Sequence, residues 1–389
     1  MRIGISCHST AGGSGILATE LGLALAKRGH TVHFVTTDPP FRLQGFYKNI
    51  VCHTVNLVPY PLFRHLPFTL ALSTKLFEVA TEHDIQLWHV HYAIPYAACA
   101  VIAREMMPEE KPFHIVTTLH GTDITLVGSD PSYFHLTKFA MERSCRITAV
   151  SNWLAEETQS TFNLSKPIHT IYNFVNVERF NVPPADRRSL AADDEKIIMH
   201  ISNFRPVKRV TDVVRTFKKV LEHVNARLIM VGDGPERISA TGVARQLGIS
   251  DRITYLGNYE AVESILPHAD LLFQPSEHES FGLVPLEGMV SGVPVLGTAS
   301  GGIREVVEHG VTGYLCEVGD IEAMTRYALD ILRNEQEARE MGAKGRERAQ
   351  ALFSEEKIVD QYEQLYDDCM TRGPETRDDL SADDADARR

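Results

Sequence analysis

Short apolar runs rich in β-branched residues alternate with helical patterns along most of this chain, and this alternation constrains its fold more than any other feature. Runs that are apolar on both faces and separated by helices are typical of parallel strands whose sheet is covered by helices on both sides. The pattern passes through the first half of the chain and is repeated in kind in the second half. It predicts an α/β fold with two doubly wound parallel sheets.

A polar stretch with two prolines, Val182–Asp194, separates the two sets of predicted elements. We therefore expect one Rossmann-like domain over 1–180 and a second over 181–354, and the acidic end Gly373–Arg389 is predicted to be a disordered tail. The strands of the first half are predicted at Arg2–Cys7, Thr31–Thr36, Ile50–Leu57, Gln86–Val90, Phe113–Thr118 and Arg146–Val150. Those of the second half are predicted at Lys196–Ser202, Ala226–Val231, Arg252–Leu256, Leu271–Gln274 and Val293–Gly297.

Composition excludes several classes of protein. Apolar residues make up 43% of the 389, as in ordinary globular chains, and a net charge of −12 argues against binding to nucleic acid or to an anionic membrane. The N-terminus does not resemble a signal peptide, and no apolar stretch reaches the roughly 20 residues that span a bilayer. Six cysteines without CxxC spacing predict reduced, unpaired thiols. We expect a cytoplasmic protein with no stable membrane association.

A glycine-rich loop follows the first predicted strand. Gly12, Gly13 and Gly15 allow backbone N–H groups to approach a ligand at the start of a helix, which favours an anion there. The same loop also fits a dinucleotide fingerprint, with Asp38 placed like the acid that binds a ribose. Taken alone, it leaves an NAD enzyme and another phosphate-binding protein both open.

Charged residues follow two strands of the second half. Arg205 and Lys208 come just after one strand and would complement a diphosphate. Glu279 and Glu287 flank a helix start after another, and two carboxylates at this spacing could bind sugar and ribose hydroxyls. Ligands bind such sheets at the carboxyl ends of strands, so we expect these residues to face a cleft between the two domains.

Histidines close two strands of the first half. His89 and His91 end one strand, and His120 follows another beside a glycine. The three could form a metal site, but no HExxH or CxxC motif supports one, and no GxSxG motif supports a serine hydrolase. The sequence therefore predicts no metal ion.

Four motifs taken together carry a resemblance. GGSG after the first strand, SNFRPVKR, VGDGPE and ESFGLVPLE are similar to the retaining glycosyltransferases of family 4, whose fold is GT-B, two facing Rossmann-like domains. Within that family, STAGGSGILATELG, HVHYAIPYA, VTTLHGTDIT and TIYNF resemble the members of the bacillithiol pathway, which transfer N-acetylglucosamine from UDP-N-acetylglucosamine to the hydroxyl of L-malate. The resemblance replaces the NAD interpretation and leaves Asp38 without a role.

The resemblance implies roles for residues that match the family's motifs. Arg205 and Lys208 would hold the phosphate charge, Glu279 the sugar hydroxyls, and His120 the 6-hydroxyl. These four form the catalytic set. Donor contacts are expected from Gly13, Gly15, Asn258, Ser280, Phe281, Gly282, Leu283 and Glu287, and acceptor contacts from Ser14, Tyr92 and Thr118. No cofactor is implied, attack is expected from the front face of the sugar, and the helix near 355–370 is expected to pack back on the first domain.

Two alternative functions stay open at this point. The same fold could use another acceptor, such as inositol phosphate, a lipid or a polysaccharide. A UDP-sugar 2-epimerase shares the architecture and would convert the donor alone. The oligomeric state is not determined by the sequence, and a homodimer is among the options.

Overall fold

The computed structural model describes residues 1–9, 12–40, 42–43, 45–59 and 65–372. The predicted acidic tail, Gly373–Arg389, lies outside the described residues. The chain forms two compact units, Met1–Tyr172 together with the segment that begins at Glu356, and Asn173–Glu355. The boundary predicted after residue 180 falls inside the second unit. The expectation that the two units face each other across a ligand cleft stays a prediction.

The first unit is built on a parallel sheet of seven strands in the order β3-β2-β1-β4-β5-β6-β7. The strands are β1 Arg2–Ser6, β2 Thr31–Thr36, β3 Ile50–Thr54, β4 Leu87–His91, β5 His114–Leu119, β6 Arg146–Ala149 and β7 Ile168–Thr170. The helices between them are α1 Gly13–Lys27, α2 Phe68–His83, α3 Ala98–Glu105, α4 Thr122–Thr125, α5 Phe134–Arg143 and α6 Asn152–Phe162. Apolar residues of α2 and α3 pack on one face of β2, β4 and β5 to form a core cluster.

The second unit repeats this plan with six parallel strands in the order β10-β9-β8-β11-β12-β13. The strands are β8 Lys196–Ile201, β9 Ala226–Val231, β10 Ile253–Gly257, β11 Leu271–Gln274, β12 Val295–Thr298 and β13 Gly313–Cys316. The helices are α7 Val210–Leu221, α8 Arg237–Gln246, α9 Val262–Ile265, α10 Leu283–Val290, α11 Ile303–Val306, α12 Ile321–Arg333 and α13 Glu335–Leu352. The predicted fold class is confirmed, but the two short strands β7 and β13, of three and four residues, were not predicted.

The last helix, α14, spans Glu355–Arg372 and packs on the first unit. Its apolar positions recur with helical spacing at Ile358, Val359, Tyr362, Leu365 and Tyr366, and all of them are buried. The Tyr366 hydroxyl lies 2.7 Å from His89 Nδ1 on β4. This long-range contact anchors the end of the described chain to the centre of the first sheet.

Cys145 and Cys369 correct the prediction that all six cysteines are unpaired thiols. A disulfide joins Cys145, which precedes β6, to Cys369 on α14, with their Cα atoms 6.1 Å apart. The two cysteines are 224 positions apart in sequence, so no local spacing could reveal the pair. Within the described residues, no helix is both long enough and apolar enough to cross a membrane.

Candidate active site

The strand order of each sheet reverses at one point, and several of the predicted site residues follow the strands beside it. In the first unit the reversal lies between β1 and β4, and in the second between β8 and β11. Loops that leave the carboxyl ends of such a strand pair diverge to opposite faces of the sheet and open a crevice, which is where α/β proteins bind ligands. The glycine loop and Tyr92 flank the first reversal, while Lys208 and Glu279 flank the second.

The glycine loop of the first unit leads directly into α1. Gly12 precedes the helix in an extended conformation, and Gly13 is its first residue. The first N–H groups of a helix have no partner within the helix, so they are available to an anion. Ser14 Oγ lies 2.8 Å from the Tyr92 hydroxyl, which joins the loops after β1 and β4. Two of the predicted acceptor residues are therefore in direct contact.

Thr118 is placed differently from Ser14 and Tyr92. Its side chain is fully buried, and its hydroxyl lies 2.6 Å from both His89 Nε2 and Thr148 Oγ1. The backbone carbonyl of Thr118 accepts a hydrogen bond from the N–H of Tyr92. Thr118 thus holds the end of β5 against β4 and positions Tyr92, and its side chain does not reach solvent.

His120 lies at the turn after β5 and is partly buried. Its Nε2 is 2.9 Å from His91 Nδ1, and its ring centroid is 5.0 Å from that of Tyr92. Burial, with a smaller effect of nearby His8, lowers the pKa of His120 to about 3. The ring is therefore neutral at physiological pH and can orient a hydroxyl by hydrogen bonding, but it is a weak base.

Asp123 lies in the VTTLHGTDIT motif without a predicted role, and in the structure it anchors the turn that carries His120. Its carboxylate accepts hydrogen bonds from the backbone N–H groups of Ala93, His120 and Gly121, at 2.9, 3.1 and 2.9 Å. Burial raises the pKa of Asp123 to about 6, although these hydrogen bonds favour the charged form. Its position three residues after a histidine that ends a strand was the only local signal.

The three histidines considered as a metal site, His89, His91 and His120, are not arranged to hold a metal ion together. His89 directs its two ring nitrogens at Tyr366 and Thr118, so it has no nitrogen left for a metal ion. His91 and His120 share a hydrogen bond instead. The two groups of described residues with metal-ligand spacing lie elsewhere.

In the second unit, Arg205 and Lys208 lie in the turn after β8. Arg205 is exposed and precedes a short 3₁₀ helix, Pro206–Lys208. Phe204 is buried with a positive φ of 29°, which turns the chain sharply before the two cations. His200 supports this turn from inside the sheet: its Nδ1 is 2.8 Å from the Phe273 carbonyl and its Nε2 is 2.8 Å from Ser202 Oγ. Sequence reasoning did not find His200.

The VGDGPE motif explains how the loop after β9 packs against the same turn. Gly232 has φ 114°, and a Cβ there would lie 1.8 Å from the carbonyl oxygen of Ser202. A Cβ on Gly234 would lie 2.4 Å from the carbonyl oxygen of Asn203. Only glycine permits this approach, so the motif sets the position of the segment that carries Arg205 and Lys208.

Lys208 and Glu279 form an ion pair across the strand reversal, with Lys208 Nζ 2.7 Å from Glu279 Oε2. Both side chains are about one-fifth exposed, at 20% and 22%. The loop of Glu279 is held by Gly302, whose N–H donates to the Glu279 carbonyl at 2.8 Å. The pair places a cation and an anion side by side with solvent access, which suits a ligand that has both phosphate and hydroxyl groups.

Residues after Glu279 lead into α10. Gly282 adopts a left-handed conformation with φ 108° and precedes the helix, which starts at Leu283. Ser280 is partly buried and Phe281 is buried, with its ring 5.5 Å from that of Phe353. Glu287 is partly buried within α10. The helix begins four residues after Glu279 on the same loop, and its start carries the positive end of a helix dipole.

Asn258 is exposed and follows β10, the edge strand of the second sheet. The carboxyl ends of parallel strands meet at one edge, so Asn258 shares that edge with Lys208 and Glu279. Gly257 precedes it with φ 65°, and its carbonyl accepts from the N–H of Gly232. The loop after β9 separates Asn258 from Lys208, and this separation suits contacts with different parts of one extended ligand.

Comparison with known proteins agrees with this geometry. Residues 11–179 match the model of Glycosyltransferase Family 4, and residues 183–348 match that of Glycosyl transferases group 1. The chain is 46% identical over 373 residues to N-acetyl-alpha-D-glucosaminyl L-malate synthase of Bacillus anthracis, covering 95% of this chain and 97% of that protein.

Two solved structures share the fold. Sucrose-phosphate synthase from Thermosynechococcus elongatus superposes with a TM-score of 0.80 at 24% identity, covering 96% of this chain and all of that one. Anabaena Alr3699/HepE in complex with UDP superposes with a TM-score of 0.77 at 19% identity, covering 94% of this chain and all of that one.

Proposed function

This chain belongs to the family 4, group 1 glycosyltransferases, and from that premise we propose that it transfers N-acetylglucosamine from UDP-N-acetylglucosamine to the hydroxyl of L-malate with retention, the first step of bacillithiol biosynthesis. The observation that carries the proposal is 46% identity along nearly the whole of both chains with an enzyme named for this product. The cytoplasmic location and the homodimer raised by the sequence stay predictions.

The proposed donor site uses the Lys208–Glu279 pair. As the bond from the anomeric carbon to the β-phosphate oxygen breaks, negative charge grows on UDP. Lys208 stabilises that charge together with Arg205 and the first amides of α10, at Gly282 and Leu283. Glu279 holds the Lys208 ammonium at 2.7 Å and offers its other oxygen to a sugar hydroxyl.

The nucleoside of the donor is assigned to the same unit. Glu287 would bind the ribose hydroxyls and Asn258 the uracil. Ser280 and Phe281 shape the loop that leads to the helix start. The amides of Gly13 and Gly15 in the first unit would serve the donor phosphate, as an anion site at a helix start does.

The acceptor is assigned to Ser14 and Tyr92, whose hydroxyls are 2.8 Å apart and can both bond to a malate carboxylate. Thr118 acts through Tyr92 rather than by contact, because its side chain is buried. His120, neutral and held by His91 and Asp123, orients the 6-hydroxyl of the sugar. The malate hydroxyl attacks from the side of the leaving group, and its proton passes to the departing phosphate oxygen.

Incubation with UDP-N-acetylglucosamine and a panel of hydroxy acids tests this proposal. We expect UDP release with L-malate and little with D-malate, lactate or citrate, and a product whose mass is that of N-acetylglucosamine plus malic acid less one water. The anomeric proton coupling of the product, measured by NMR, reports retention.

The same assay separates the alternatives. Conversion of the donor without any acceptor would show an epimerase, and release of UDP only with a lipid or inositol phosphate would show a different acceptor. Either result contradicts the proposal. The Lys208→Met variant serves as the control for enzyme-dependent UDP release.

A further inference from the structure

Three histidines of the first unit lie close together, His33 on β2, His53 on β3 and His83 at the end of α2. His33 and Val35 point to the same face of β2, and the register pairs them with Val51 and His53 of β3. That face is covered by α2, whose buried stripe runs through Leu76, Val79 and Ala80. His83, the last residue of α2, continues this stripe three and four positions further on.

The three imidazoles lie against one another. His33 Nδ1 is 3.0 Å from His53 Nε2, and one nitrogen from each of the three rings lies within 4.8 Å of the others. Ring centroids are separated by 5.3 Å for His33 and His53, 4.5 Å for His33 and His83, and 5.1 Å for His53 and His83. A tetrahedral zinc ion with bonds of 2.0–2.1 Å needs nitrogen separations of about 3.3 Å, so small side-chain rotations would suffice.

We propose that His33, His53 and His83 form a zinc-binding site that joins β2, the edge strand β3 and the end of α2. His33 is 3% exposed, whereas the side chain of His83 is 37% exposed and opens the site to solvent. The fourth position would be left for water, and Glu82 Oε2 lies 4.0 Å from His83 Nε2. This zinc site departs from the sequence-based prediction of no metal ion, in which the candidate ligands were His89, His91 and His120.

The surroundings are compatible with neutral imidazole ligands, which is the form that binds a metal ion. Burial is the main cause that lowers the pKa of His33, to about 4, and that lowers the pKa of His53. The charged groups that face the cluster are Arg2, Lys75 and Glu82. A bound zinc ion would replace the packing that apolar residues provide elsewhere under α2, and would fasten β3, whose residues are partly exposed, to the rest of the sheet.

The experiment uses the full chain without an affinity tag, stripped with EDTA and dialysed against zinc chloride. We expect about one zinc ion retained per chain, measured by elemental analysis, and Tm raised by about 5 °C at a zinc concentration near 100 times Kd. Replacement of zinc by cobalt should give the visible absorption of a tetrahedral Co²⁺ site.

His83→Gln is the variant of choice because this partly exposed residue can be changed with least harm to the fold. It should retain no zinc and show no zinc-dependent rise in Tm, while its Tm in EDTA stays near that of the parent chain. His53→Gln should behave alike. His135→Gln, which changes an exposed histidine of α5, is the matched control and should keep both the zinc and the shift.

Two results would overturn the proposal. One is that the parent chain retains no zinc and shows no zinc-dependent rise in Tm. The three histidines would then form a hydrogen-bonded cluster and no metal site. The other is that both His53→Gln and His83→Gln still retain zinc, which would show that the zinc ion binds elsewhere.

Discussion

In the proposed mechanism, Lys208 and Glu279 act as individual side chains at the departing phosphate and the sugar. A cation that must stabilise a departing phosphate is useful only if it is held in place before the reaction, because reorganisation then costs little. Glu279 holds Lys208 at 2.7 Å, in a partly exposed environment where the pair itself adds little to stability. The value of the contact therefore lies in positioning.

Changing Lys208 to Met should lower kcat/KM by about 10²–10³-fold, because loss of one well-placed donor costs about 2.7–4 kcal/mol in the transition state. UDP release under steady-state conditions measures the effect. Lys219→Met, which removes an exposed cation of α7, is the matched control and should leave kcat/KM unchanged. Equal losses in both variants would mean that overall charge, and not Lys208, is responsible.

The ionisation of Asp123 should make both the stability and the activity of the protein depend on pH. In the folded protein the pKa of Asp123 is about 6, above its ordinary value of 3.8, so protonation favours the folded state. This contribution to the free energy of unfolding is fully present below pH 3.8 and is lost as pH rises through about 6. Activity should change in the opposite direction. Below pH 6 the protonated carboxyl accepts more weakly from Ala93, His120 and Gly121, and kcat/KM should fall.

A pH–rate profile of the parent chain and of Asp123→Asn checks this expectation. The variant should be slower at pH 7.5, by about tenfold if one charge-assisted hydrogen bond is lost, and should lack the acidic limb near pH 6. Asp130→Asn changes an exposed carboxylate in the same unit and should keep the limb. An unaltered limb in Asp123→Asn would assign it to the substrate or to another group.

At the scale of elements, the loops that flank each strand reversal are held by contacts with neighbouring loops. The turn that carries Arg205 and Lys208 is fixed from one side by Gly232 and Gly234 and from inside the sheet by His200. The turn that carries His120 is fixed by Asp123. In both units the site therefore depends on backbone packing as much as on the functional side chains.

Gly232→Ala tests this dependence on backbone packing. The new Cβ would lie 1.8 Å from the Ser202 carbonyl at a backbone φ of 114°, so the turn must move. We expect a loss of about 2 kcal/mol or more in the free energy of unfolding and a fall in kcat/KM. Urea unfolding and UDP release provide the two measurements.

Gly242→Ala, in the interior of α8, is the matched control. Its Cβ meets no atom within 4 Å, and the change should stabilise the helix by roughly 0.5–1 kcal/mol. If both variants were equally stable and active, the turn would not depend on the glycine.

At the scale of the whole molecule, the second unit repeats the strand order of the first, and each unit brings its polar residues to the carboxyl edge of its sheet. The first unit contributes hydroxyls and neutral imidazoles, and the second contributes cations and carboxylates. We propose that the first unit binds the small acceptor and that the second unit binds the nucleotide sugar.

Transferase activity at 25 °C should therefore survive EDTA, because Lys208 and Arg205 supply the positive charge at the leaving phosphate. The zinc proposed at His33, His53 and His83 affects Tm and not the transfer step. Initial rates with and without EDTA check this expectation. Complete loss of activity that magnesium restores would contradict it.

The fold class and most of the elements follow from the amino-acid sequence alone. Hydrophobic pattern and helical periodicity are local properties, so strands such as Thr31–Thr36, Ala226–Val231 and Leu271–Gln274 were predicted with the bounds that the structure has. Their order along the chain also indicates where loops should carry ligands. The glycine loop, Arg205, Lys208, Glu279 and His120 were found in this way, whereas Asn258 was implied by the resemblance to the family.

Which side chains meet depends on how the whole chain folds. Ser14 and Tyr92 are 78 positions apart, Lys208 and Glu279 are 71 apart, and no local pattern couples them. The same holds for the supporting residues Asp123 and His200, for the burial of Thr118, for the Cys145–Cys369 bond and for the three histidines at the sheet edge. Strand order and helix packing bring such residues together, and these depend on the whole chain.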